Sequence, residues 1–431
     1  MDEVIKGTRG SIKGTITVPG DKSISHRGVL LGSIAEGLTE ITGFLMGEDC
    51  LSTVKCVQQL GINVEIEAPG RLKVFGKGLF GWKEPAEVLD AGNSGTTMRL
   101  LLGLLSGHSF HSVIKGDASL SIRPMARVVN PLRLMGAVID GREKSNKAPL
   151  SIRGGNLHAI SYQSPVSSAQ VKSAILFAGL YAEGNTTVEE PAKSRDHSER
   201  MLLSFGAEIA SQEKKSSVKG LPRLMGQKIT VPGDISSAAF FMVAAAIMPN
   251  SELVLENIGI NPSRTGIIDV LKKMGAKIKL ENQRIETGEP VADVVIKQSP
   301  LHGVIIEGED IPRLIDEIPV LAVAAAHAEG QTVIRDAAEL RVKETDRINT
   351  IVSQMTKLGM DIEPREDGMV INGGRSLKGA IVDSFHDHRI AMALTIAGLS
   401  AAGETIIKNS ESVRISFPDF FKLLKSVTNN I

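Results

Sequence analysis

The feature that most constrains the fold of this chain is a unit that recurs six times along its 431 residues. Six apolar runs each end in a short turn, and successive turns are 66 to 80 residues apart. The turn residues are Gly37, Gly107, Gly184, Asn250, Gly330 and Gly403. Thr or Ser and a β-type stretch follow each turn closely, which predicts a helix that ends on the glycine and leads into a strand.

A second marker has nearly the same period. Five glycines each follow a large apolar residue and precede Val or Ile by three positions: Gly61, Gly136, Gly206, Gly275 and Gly359. This pattern predicts a second helix, its glycine cap and another strand in each unit. Two markers in one phase make chance recurrence a poor explanation, even in a chain with 43 glycines. We therefore predict an α/β fold built from six repeated βαβ-type units.

A larger duplication is superimposed on the repeat. The segment Ile16–Asp21 recurs as Ile229–Asp234, about half the chain later. Three units lie between the copies, so we predict two lobes of three units: residues 1–20 with 233–431, and residues 21–232. The crossovers fall near 18–21 and 231–234, and the N-terminal strand belongs to the C-terminal lobe. Two neighbouring crossovers predict a hinge.

Composition excludes several classes of partner. Lys plus Arg and Asp plus Glu balance at 49 each, so the chain as a whole has no field that would gather nucleic acid or an acidic membrane. The most apolar stretch, residues 238–248, is well short of the ~20 residues that span a bilayer. The N-terminus lacks a signal-peptide pattern, and the two cysteines, Cys50 and Cys56, suggest reduced thiols in a cytoplasmic protein.

Polar residues concentrate at the predicted starts of the six most apolar helices. They are Lys22, Ser23 and Arg27; Asn93, Ser94, Gly95 and Thr96; Ser167, Ser168 and Gln170; Asp234, Ser236 and Ser237; Asp316 and Glu317; and His386, Asp387, His388 and Arg389. Helix capping explains any single Ser, Asp or Asn. It does not explain Lys22 and Arg27, because the helix dipole disfavours cations there. A bound anion would compensate these charges.

The segments before the second helices add further cations. They are Arg123, the run Ser194–His197 and the run Arg341–Arg347. Lys343 and Arg347 are four residues apart, which predicts that they share a helix face, while Asp346 is interpreted as part of a solvated helix start. Because a guanidinium binds carboxylate or phosphate through two parallel hydrogen bonds, several arginines imply a ligand with more than one anionic group.

Three segments together resemble the enolpyruvyltransferase family, in its EPSP synthase (3-phosphoshikimate 1-carboxyvinyltransferase) branch. They are Val18–Arg27, Gly92–Arg99 and Leu340–Arg347, and the resemblance extends over nearly the whole chain. It implies a two-lobed, inside-out α/β barrel that closes over its substrates. It also implies transfer of the enolpyruvyl group of phosphoenolpyruvate to the 5-hydroxyl of shikimate 3-phosphate, through a tetrahedral intermediate, in the shikimate pathway to chorismate and the aromatic amino acids.

The resemblance also implies the site residues. Shikimate 3-phosphate would be bound by Lys22, Ser23, Arg27, Ser168, Gln170, Ser194, Arg195, Asp316 and Lys343. Phosphoenolpyruvate would be bound by Lys22, Gly95, Arg123, Gln170, Arg347 and Arg389. Asp316 would take the proton of the attacking hydroxyl, Glu344 would protonate and later deprotonate the methylene carbon, and Lys22 would serve both substrates. Side chains supply the cations, so the expected enzyme uses no metal or cofactor. We also expect a monomer.

The chain departs from some family members at two places. Arg414-Ile415-Ser416 precedes Phe417-Pro418-Asp419 where others have a Lys, and Ser194-Arg195-Asp196-His197 replaces Ser-Lys-Pro-Tyr. Gly95 leaves room beside phosphoenolpyruvate, so we hypothesise that phosphonate inhibitors of the glyphosate class bind and that Gly95→Ala weakens them.

Three alternatives remain open. The first is the sister enzyme that acts on UDP-N-acetylglucosamine, although residues 115–124 lack the loop cysteine on which it relies. The second is a non-catalytic anion-binding protein, for which Asp316 and Glu344 would have no use. The third is a metal site at His386-Asp387-His388, although adjacent residues at a helix start point in different directions.

Overall fold

The computed structural model describes residues 2–7 and 10–428, and the chain divides into two compact units. Unit 1 comprises Met1–Pro19, Pro232–Ile285 and Pro290–Ile431, and unit 2 comprises Gly20–Val231 and Glu286–Glu289. Both main boundaries lie one residue earlier than the sequence predicts. The short segment Glu286–Glu289 was not separated by sequence reasoning. It groups with unit 2, where the Glu289 carboxylate hydrogen-bonds His197 Nδ1 at 2.7 Å.

The helices are α1 (Lys22–Ile34), α2 (Glu48–Gln59), α3 (Gly95–Leu105), α4 (Ala118–Ser121), α5 (Ala126–Leu134), α6 (Arg142–Ser145), α7 (Ala169–Gly179), α8 (His197–Ser204), α9 (Ile235–Ile247), α10 (Gly266–Lys273), α11 (Asp310–Leu314), α12 (Ile318–His327), α13 (Arg347–Lys357), α14 (His388–Ser400) and α15 (Phe420–Val427). Two 3₁₀ segments span Ala338–Val342 and Ser410–Ile415. No helix among residues 2–7 and 10–428 is long and apolar enough to cross a membrane.

The strands are β1 (Glu3–Lys6), β2 (Lys13–Thr17), β3 (Glu36–Thr42), β4 (Asn63–Ala68), β5 (Arg71–Lys77), β6 (Leu89–Asp90), β7 (His111–Lys115), β8 (Val138–Gly141), β9 (Lys147–Arg153), β10 (Ser161–Gln163), β11 (Asn185–Glu189), β12 (Ile209–Gln212), β13 (Lys215–Lys219), β14 (Lys228–Thr230), β15 (Glu252–Gly259), β16 (Lys277–Glu286), β17 (Glu289–Lys297), β18 (Ile305–Ile306), β19 (Gln331–Ile334), β20 (Asp361–Arg365), β21 (Gly368–Asn372), β22 (Ile381–Asp383) and β23 (Glu404–Lys408).

The strands of the described residues form six small sheets, three in each unit. Unit 2 has the orders β14-β3-β5-β4, β6-β7-β9-β8 and β10-β11-β13-β12. Unit 1 has β16-β17-β15-β2, β18-β19-β21-β20 and the three-stranded β1-β23-β22. In a typical sheet one edge strand pairs in parallel and the other pairs are antiparallel. For example, β6 is parallel to β7, and β9 is antiparallel to both β7 and β8. β1 pairs with β23 in register Glu3↔Ile407, so the N-terminal strand completes the sixth sheet.

The glycines of the second marker cap helices as predicted. After α2, for example, Gly61 has φ +86°, and the Ile62 N–H donates to the Val57 carbonyl across the helix end at 3.3 Å. This is the Schellman arrangement, which needs a left-handed residue at the position of Gly61. The prediction for the first marker was wrong in detail. Helix α1 ends in an extended cap at Ala35, and Gly37 lies inside β3.

The most apolar helices form the interior of each unit. In unit 2, α1, α3 and α7 bury nearly their whole surface, and in unit 1, α9, α12 and α14 do the same. A helix without a polar face is stable only when neighbours cover it on all sides. These helices pack on one another, so their polar N-termini are the places where each core meets polar side chains. Cys50 and Cys56 are both buried, and neither forms a disulfide.

Candidate active site

All six predicted polar clusters lie at the starts of the buried helices. Five helices have a side-chain cap at the expected residue: Asp21 for α1, Ser94 for α3, Ser168 for α7, Asp234 for α9 and Asp387 for α14. Glu317 occupies the corresponding position before α12. Side-chain capping therefore accounts for one residue in four of the six clusters and for Asp21 beside the first, whereas Glu317 makes no capping hydrogen bond. The neighbouring cations need a separate explanation.

In unit 2, Arg27 is buried among hydroxyl groups. Its Nε donates to Ser198 Oγ at 2.7 Å, Nη2 donates to Ser173 Oγ at 2.8 Å, and Nη1 donates to the Ser23 carbonyl at 3.0 Å. Burial lowers the pKa of Arg27 to about 10, an effect that nearby Glu199 and Asp21 oppose and Arg195 reinforces. A guanidinium with five N–H groups uses three of them here, and its charge is poorly compensated by neutral hydroxyls. An added anion would stabilise it.

Lys22 lies in the first turn of α1 beside an acidic partner. Its ammonium group forms an ion pair with Asp49, at the start of α2. The ring of His26, one turn further along α1, is buried and hydrogen-bonds Thr53 Oγ1 at 2.6 Å. Burial, with Lys22 and Arg27, holds the pKa of His26 well below its ordinary value. His26 therefore adds no charge at neutral pH, and the positive charge of this helix start comes from Lys22 and Arg27.

Two arginines surround Gly95 at the start of α3. Arg123 Nη2 donates to Asn93 Oδ1 at 2.8 Å, and Arg99 Nη1 donates to Gln170 Oε1 at 2.6 Å. The Gln170 Nε2 donates in turn to Thr96 Oγ1 at 2.9 Å, which fixes the orientation of the amide. A Cβ atom at position 95 would lie 2.9 Å from Arg99 Nη1 and 3.5 Å from Arg123 Nη1. Gly95 thus allows the two guanidinium groups to approach the helix start.

The predicted residues Ser168, Ser194 and Arg195 also lie in unit 2. The Ser168 hydroxyl caps α7, and Ser194 is buried and donates to Glu190 Oε2 at 2.8 Å. Arg195 is partly exposed, and it lies close enough to Arg27 to influence the pKa of that group. The structure therefore brings Ser23, Arg27, Ser168, Ser194 and Arg195 into one neighbourhood through Ser173, Ser198 and Glu190.

In unit 1, the predicted residues converge on one buried guanidinium. Arg347 Nη2 contacts Glu344 Oε2 at 2.7 Å, Nη1 contacts Asp316 Oδ1 at 3.3 Å, and Nε contacts Asp387 Oδ2 at 2.8 Å. Burial on its own would lower the pKa of Arg347, but the three carboxylates raise it above its ordinary value. Arg347 therefore stays charged and holds both predicted catalytic carboxylates at fixed positions.

Asp316 is surrounded by cations. Lys343 Nζ lies 3.5 Å from Oδ1, and Arg389 Nη2 lies 3.9 Å from Oδ2. Arg389 Nη1 also donates to the Asp316 carbonyl at 3.1 Å, which ties the start of α14 to the start of α12. Lys343, Arg347 and Arg389 can therefore all interact with a single negative group near Asp316.

The expectation that Lys343 and Arg347 share a helix face was wrong. Helix α13 begins at Arg347, and Asp346 caps it by accepting the Asn349 N–H at 3.1 Å. Lys343 has an extended backbone in the preceding loop. Both side chains contact Asp316, Lys343 from this loop and Arg347 from the first residue of α13. Asp346 also pairs with Arg341, in line with the interpretation of Asp346 as an ordinary helix start.

The structure argues against a metal site at His386-Asp387-His388. His386 is exposed, whereas Asp387 is fully buried, caps α14 and pairs with Arg347. Its carboxylate oxygens are therefore already bonded to protein groups. Among the residues that the structure describes, no group of three or more His, Cys, Asp or Glu side chains is arranged to hold a metal ion.

The sequence analysis assigned no role to two charged residues that contact the site: Arg99, which holds Gln170, and Asp49, which pairs with Lys22. It considered Asp387 as a helix-start residue and a candidate metal ligand, but did not identify it as the partner of Arg347. Arg99 carried a signal, since it is a lone cation in the apolar helix α3. Its partner lies 71 residues away in sequence, so the signal did not reveal which residue it contacts.

Known proteins resemble the chain over its full length. The model of the EPSP synthase (3-phosphoshikimate 1-carboxyvinyltransferase) family matches residues 7–424. The 3-phosphoshikimate 1-carboxyvinyltransferases of Desulforamulus reducens and Brevibacillus brevis are 56% and 57% identical, over 99% and 97% of this chain and 99% and 98% of their own. The structure of EPSP synthase from Acinetobacter baumannii superposes with a TM-score of 0.89 at 49% identity, covering 99% of this chain and 98% of that one.

The repeated α/β units with charged helix starts therefore define an enolpyruvyltransferase fold. The chain belongs to the EPSP synthase family. This confirms the family that the three motifs indicated, and the likeness to solved structures confirms the predicted two-lobed α/β fold.

Proposed function

We propose that this chain transfers the enolpyruvyl group of phosphoenolpyruvate to the 5-hydroxyl of shikimate 3-phosphate and releases phosphate. The observation that carries the proposal is the contact of Arg347 with both Asp316 and Glu344. Family membership supports the same reaction. A protein that only bound anions would gain nothing from two carboxylates in its cationic cluster, because they repel the ligand. Proton transfer gives both carboxylates a purpose.

Shikimate 3-phosphate is bound in this proposal by Lys22, Ser23, Arg27, Ser168, Gln170, Arg195, Asp316 and Lys343, with Ser194 nearby. Arg27 is best placed for the phosphate. Two of its five N–H groups have no acceptor among the described residues, and burial, with Arg195 nearby, lowers its pKa to about 10. A phosphate dianion would supply both acceptors and the compensating charge.

Phosphoenolpyruvate is bound by Lys22, Gly95, Arg123, Gln170, Arg347 and Arg389. Each cation in this group is held by hydrogen bonds before the ligand arrives. Preorganised donors stabilise charge without rearranging during the reaction, so they favour the transition state. Two anionic substrates repel each other, and cations on both substrates are needed to bring the reacting atoms together.

The chemistry follows in two steps. The 5-hydroxyl oxygen bonds to C2 of phosphoenolpyruvate while Asp316 accepts the hydroxyl proton and Glu344 gives a proton to C3, which becomes a methyl group. In the resulting tetrahedral intermediate, the bond from C2 to the phosphate oxygen breaks. Glu344 then takes a proton back from the methyl group, the double bond re-forms, and phosphate leaves with the proton that Asp316 had accepted, so both carboxyl groups return to their starting states. Arg347 contacts both carboxylates and so keeps them in place through both steps.

We also propose that the segments near Pro19 and Val231 act as hinges between the two lobes, and that the enzyme works as a cytoplasmic monomer. The duplicated Val-Pro-Gly-Asp segments support the hinge. In this scheme the proposed site residues of unit 1 and those of unit 2 contribute to one reaction, so both sets are needed for turnover.

Phosphate release from phosphoenolpyruvate tests the proposal, measured with and without shikimate 3-phosphate. Asp316→Asn and Glu344→Gln should each lower kcat by roughly 10²- to 10⁴-fold, the usual contribution of a general acid or base. Asp346→Asn is the matched control, because Asn still caps α13 and Asp346 lies outside the cluster. Release that ignores shikimate 3-phosphate, or that survives both substitutions, would contradict the proposal.

A further inference from the structure

One buried carboxylate joins the two serine segments of the shikimate 3-phosphate half-site. Glu190 follows β11 directly, and its Oε1 accepts the Ser168 N–H at 2.9 Å, at the start of α7. Its Oε2 accepts the Ser194 hydroxyl at 2.8 Å and the Ser194 N–H at 3.4 Å. One side chain therefore fixes the distance between two segments that lie 26 residues apart in sequence.

Lys172 holds Glu190 in place from the other side. Its Nζ lies 2.9 Å from Glu190 Oε2 and 2.8 Å from Glu199 Oε1, and all three side chains are almost completely buried. Burial would lower the pKa of Lys172, but the two glutamates raise it above its ordinary value. Lys172 is the single charged residue of α7, and it is buried, so it does not provide the helix with a solvent-exposed charge. Buried ion pairs of this kind are weak evidence for stability and are better explained by a geometric role.

The two serines differ in what they can offer a ligand. The Ser194 hydroxyl has one proton, and Glu190, as a carboxylate, can only accept it. The Ser168 hydroxyl instead accepts the Val171 N–H at 3.5 Å, which leaves its own proton available for an anion. The earlier expectation that Ser194 contacts shikimate 3-phosphate is therefore refined. Ser194 anchors its segment, and Ser168 is the serine with a proton to donate.

We propose that Glu190 is a positioning residue for the binding of shikimate 3-phosphate. It acts through Ser168 and Ser194 and does not itself touch the substrate. This inference rests on the proposed function, because it takes these serines as part of the shikimate 3-phosphate site.

The test compares Glu190→Gln with Glu199→Gln. Both substitutions remove one carboxylate from the same Lys172, and both sites are equally buried. Glu199 bonds the Ser216 hydroxyl at 2.9 Å and neither site serine, so Glu199→Gln is the matched control. A glutamine at position 190 cannot accept from Ser168, Ser194 and Lys172 together, because its NH₂ group only donates.

We expect Glu190→Gln to raise KM for shikimate 3-phosphate by about tenfold, the cost of one charge-assisted hydrogen bond, while KM for phosphoenolpyruvate changes little. Glu199→Gln should not raise KM for shikimate 3-phosphate. Combining Glu190→Gln with Ser168→Ala should give less than the sum of the two single effects, because Glu190 is proposed to act by positioning the Ser168 hydroxyl that the alanine removes. Glu190→Asp keeps the charge but shortens the reach, so it provides the same comparison if the glutamine variant does not fold.

Equal changes in both KM values, or equal effects of the Glu190 and Glu199 variants, would overturn the positioning role and indicate a purely structural one. Wild-type protein that releases no phosphate when shikimate 3-phosphate is present would contradict the proposed function itself. An active wild type with an unchanged KM in Glu190→Gln would overturn only the present inference.

Discussion

The substitution Gly95→Ala adds one methyl group at the start of α3, next to two arginines. Gly95 does not have a positive φ, so alanine can adopt its backbone conformation. Within a helix, alanine is favoured over glycine by about 0.5–1 kcal/mol, so the variant should fold at least as stably as the wild type. The new Cβ would lie 2.9 Å from Arg99 Nη1, closer than real contacts allow, and the guanidinium must move by a few tenths of an ångström.

This movement affects the ligand through Gln170. Arg99 Nη1 holds Gln170 Oε1 at 2.6 Å, and a hydrogen bond to a charged group contributes about 1.5–3 kcal/mol. Loosening this bond without breaking it should cost about 1 kcal/mol, or roughly fivefold in the KM for phosphoenolpyruvate. A phosphonate of the glyphosate class has a tetrahedral chain where phosphoenolpyruvate is planar. This tetrahedral chain occupies more space beside residue 95 than the planar substrate does. The inhibition constant of the phosphonate should therefore rise more than the KM for phosphoenolpyruvate.

The assay is steady-state phosphate release at several concentrations of phosphoenolpyruvate and glyphosate, with thermal unfolding measured in parallel. Arg99→Lys is the companion variant, since it disturbs the contact with Gln170 without adding a methyl group. Arg99→Lys should raise the KM for phosphoenolpyruvate and leave the ratio of the glyphosate inhibition constant to this KM nearly unchanged. Equal inhibition of wild type and Gly95→Ala would refute the reasoning, as would a large loss of stability in Gly95→Ala.

Two further predictions concern buried titratable side chains. His108 is stacked on Trp82, and burial lowers its pKa to about 4, so the unfolded chain binds a proton between pH 6.5 and 4 that the folded chain does not. The free energy of unfolding therefore falls by about 3 kcal/mol as the pH decreases from 6.5 to 4. His108→Phe should reduce this loss, which can be measured by Trp82 fluorescence during unfolding in urea. Asp387→Asn keeps an acceptor for the α14 cap but removes a charge from Arg347, and should lower the free energy of unfolding by about 3 kcal/mol. Far-UV circular dichroism in urea checks this against Asp346→Asn, and equal stabilities would contradict it.

The repeat was predictable because its markers are local. A left-handed glycine after an apolar helix end depends on adjacent residues, so Gly61 and its counterparts could be assigned from sequence. The end of α1 depends on pairing with a distant strand. Gly37 lies opposite Gly76 in the ladder between β3 and β5, and that pairing draws Gly37 into the strand. No local pattern predicts it.

In the site, too, the features that depend on local sequence could be predicted and those that depend on distant contacts could not. The helix starts with their Lys, Arg and Ser residues could be read from sequence, since Asp and Ser caps mark where a helix begins. The partners that hold those residues could not. Arg99 meets Gln170, Lys172 meets Glu199 and Arg347 meets Asp387 across separations of 71, 27 and 40 residues. Asp346 was correctly interpreted as a helix start, but as the cap of α13 it also places Lys343 outside that helix, a consequence that the sequence analysis did not draw.

The two buried cysteines make the chain suitable for site-specific labelling. Burial and the nearby Asp90 raise the pKa of the Cys56 thiol to about 12, and Cys50 is equally inaccessible. Because thiolates are the species that react with maleimides, both native thiols should remain unlabelled while the protein is folded. Cysteines introduced at the exposed positions Gln212 and Ser376 would then be the reactive pair, one in each unit. Energy transfer between dyes at these positions, recorded with and without shikimate 3-phosphate, would report directly on any movement about the proposed hinges.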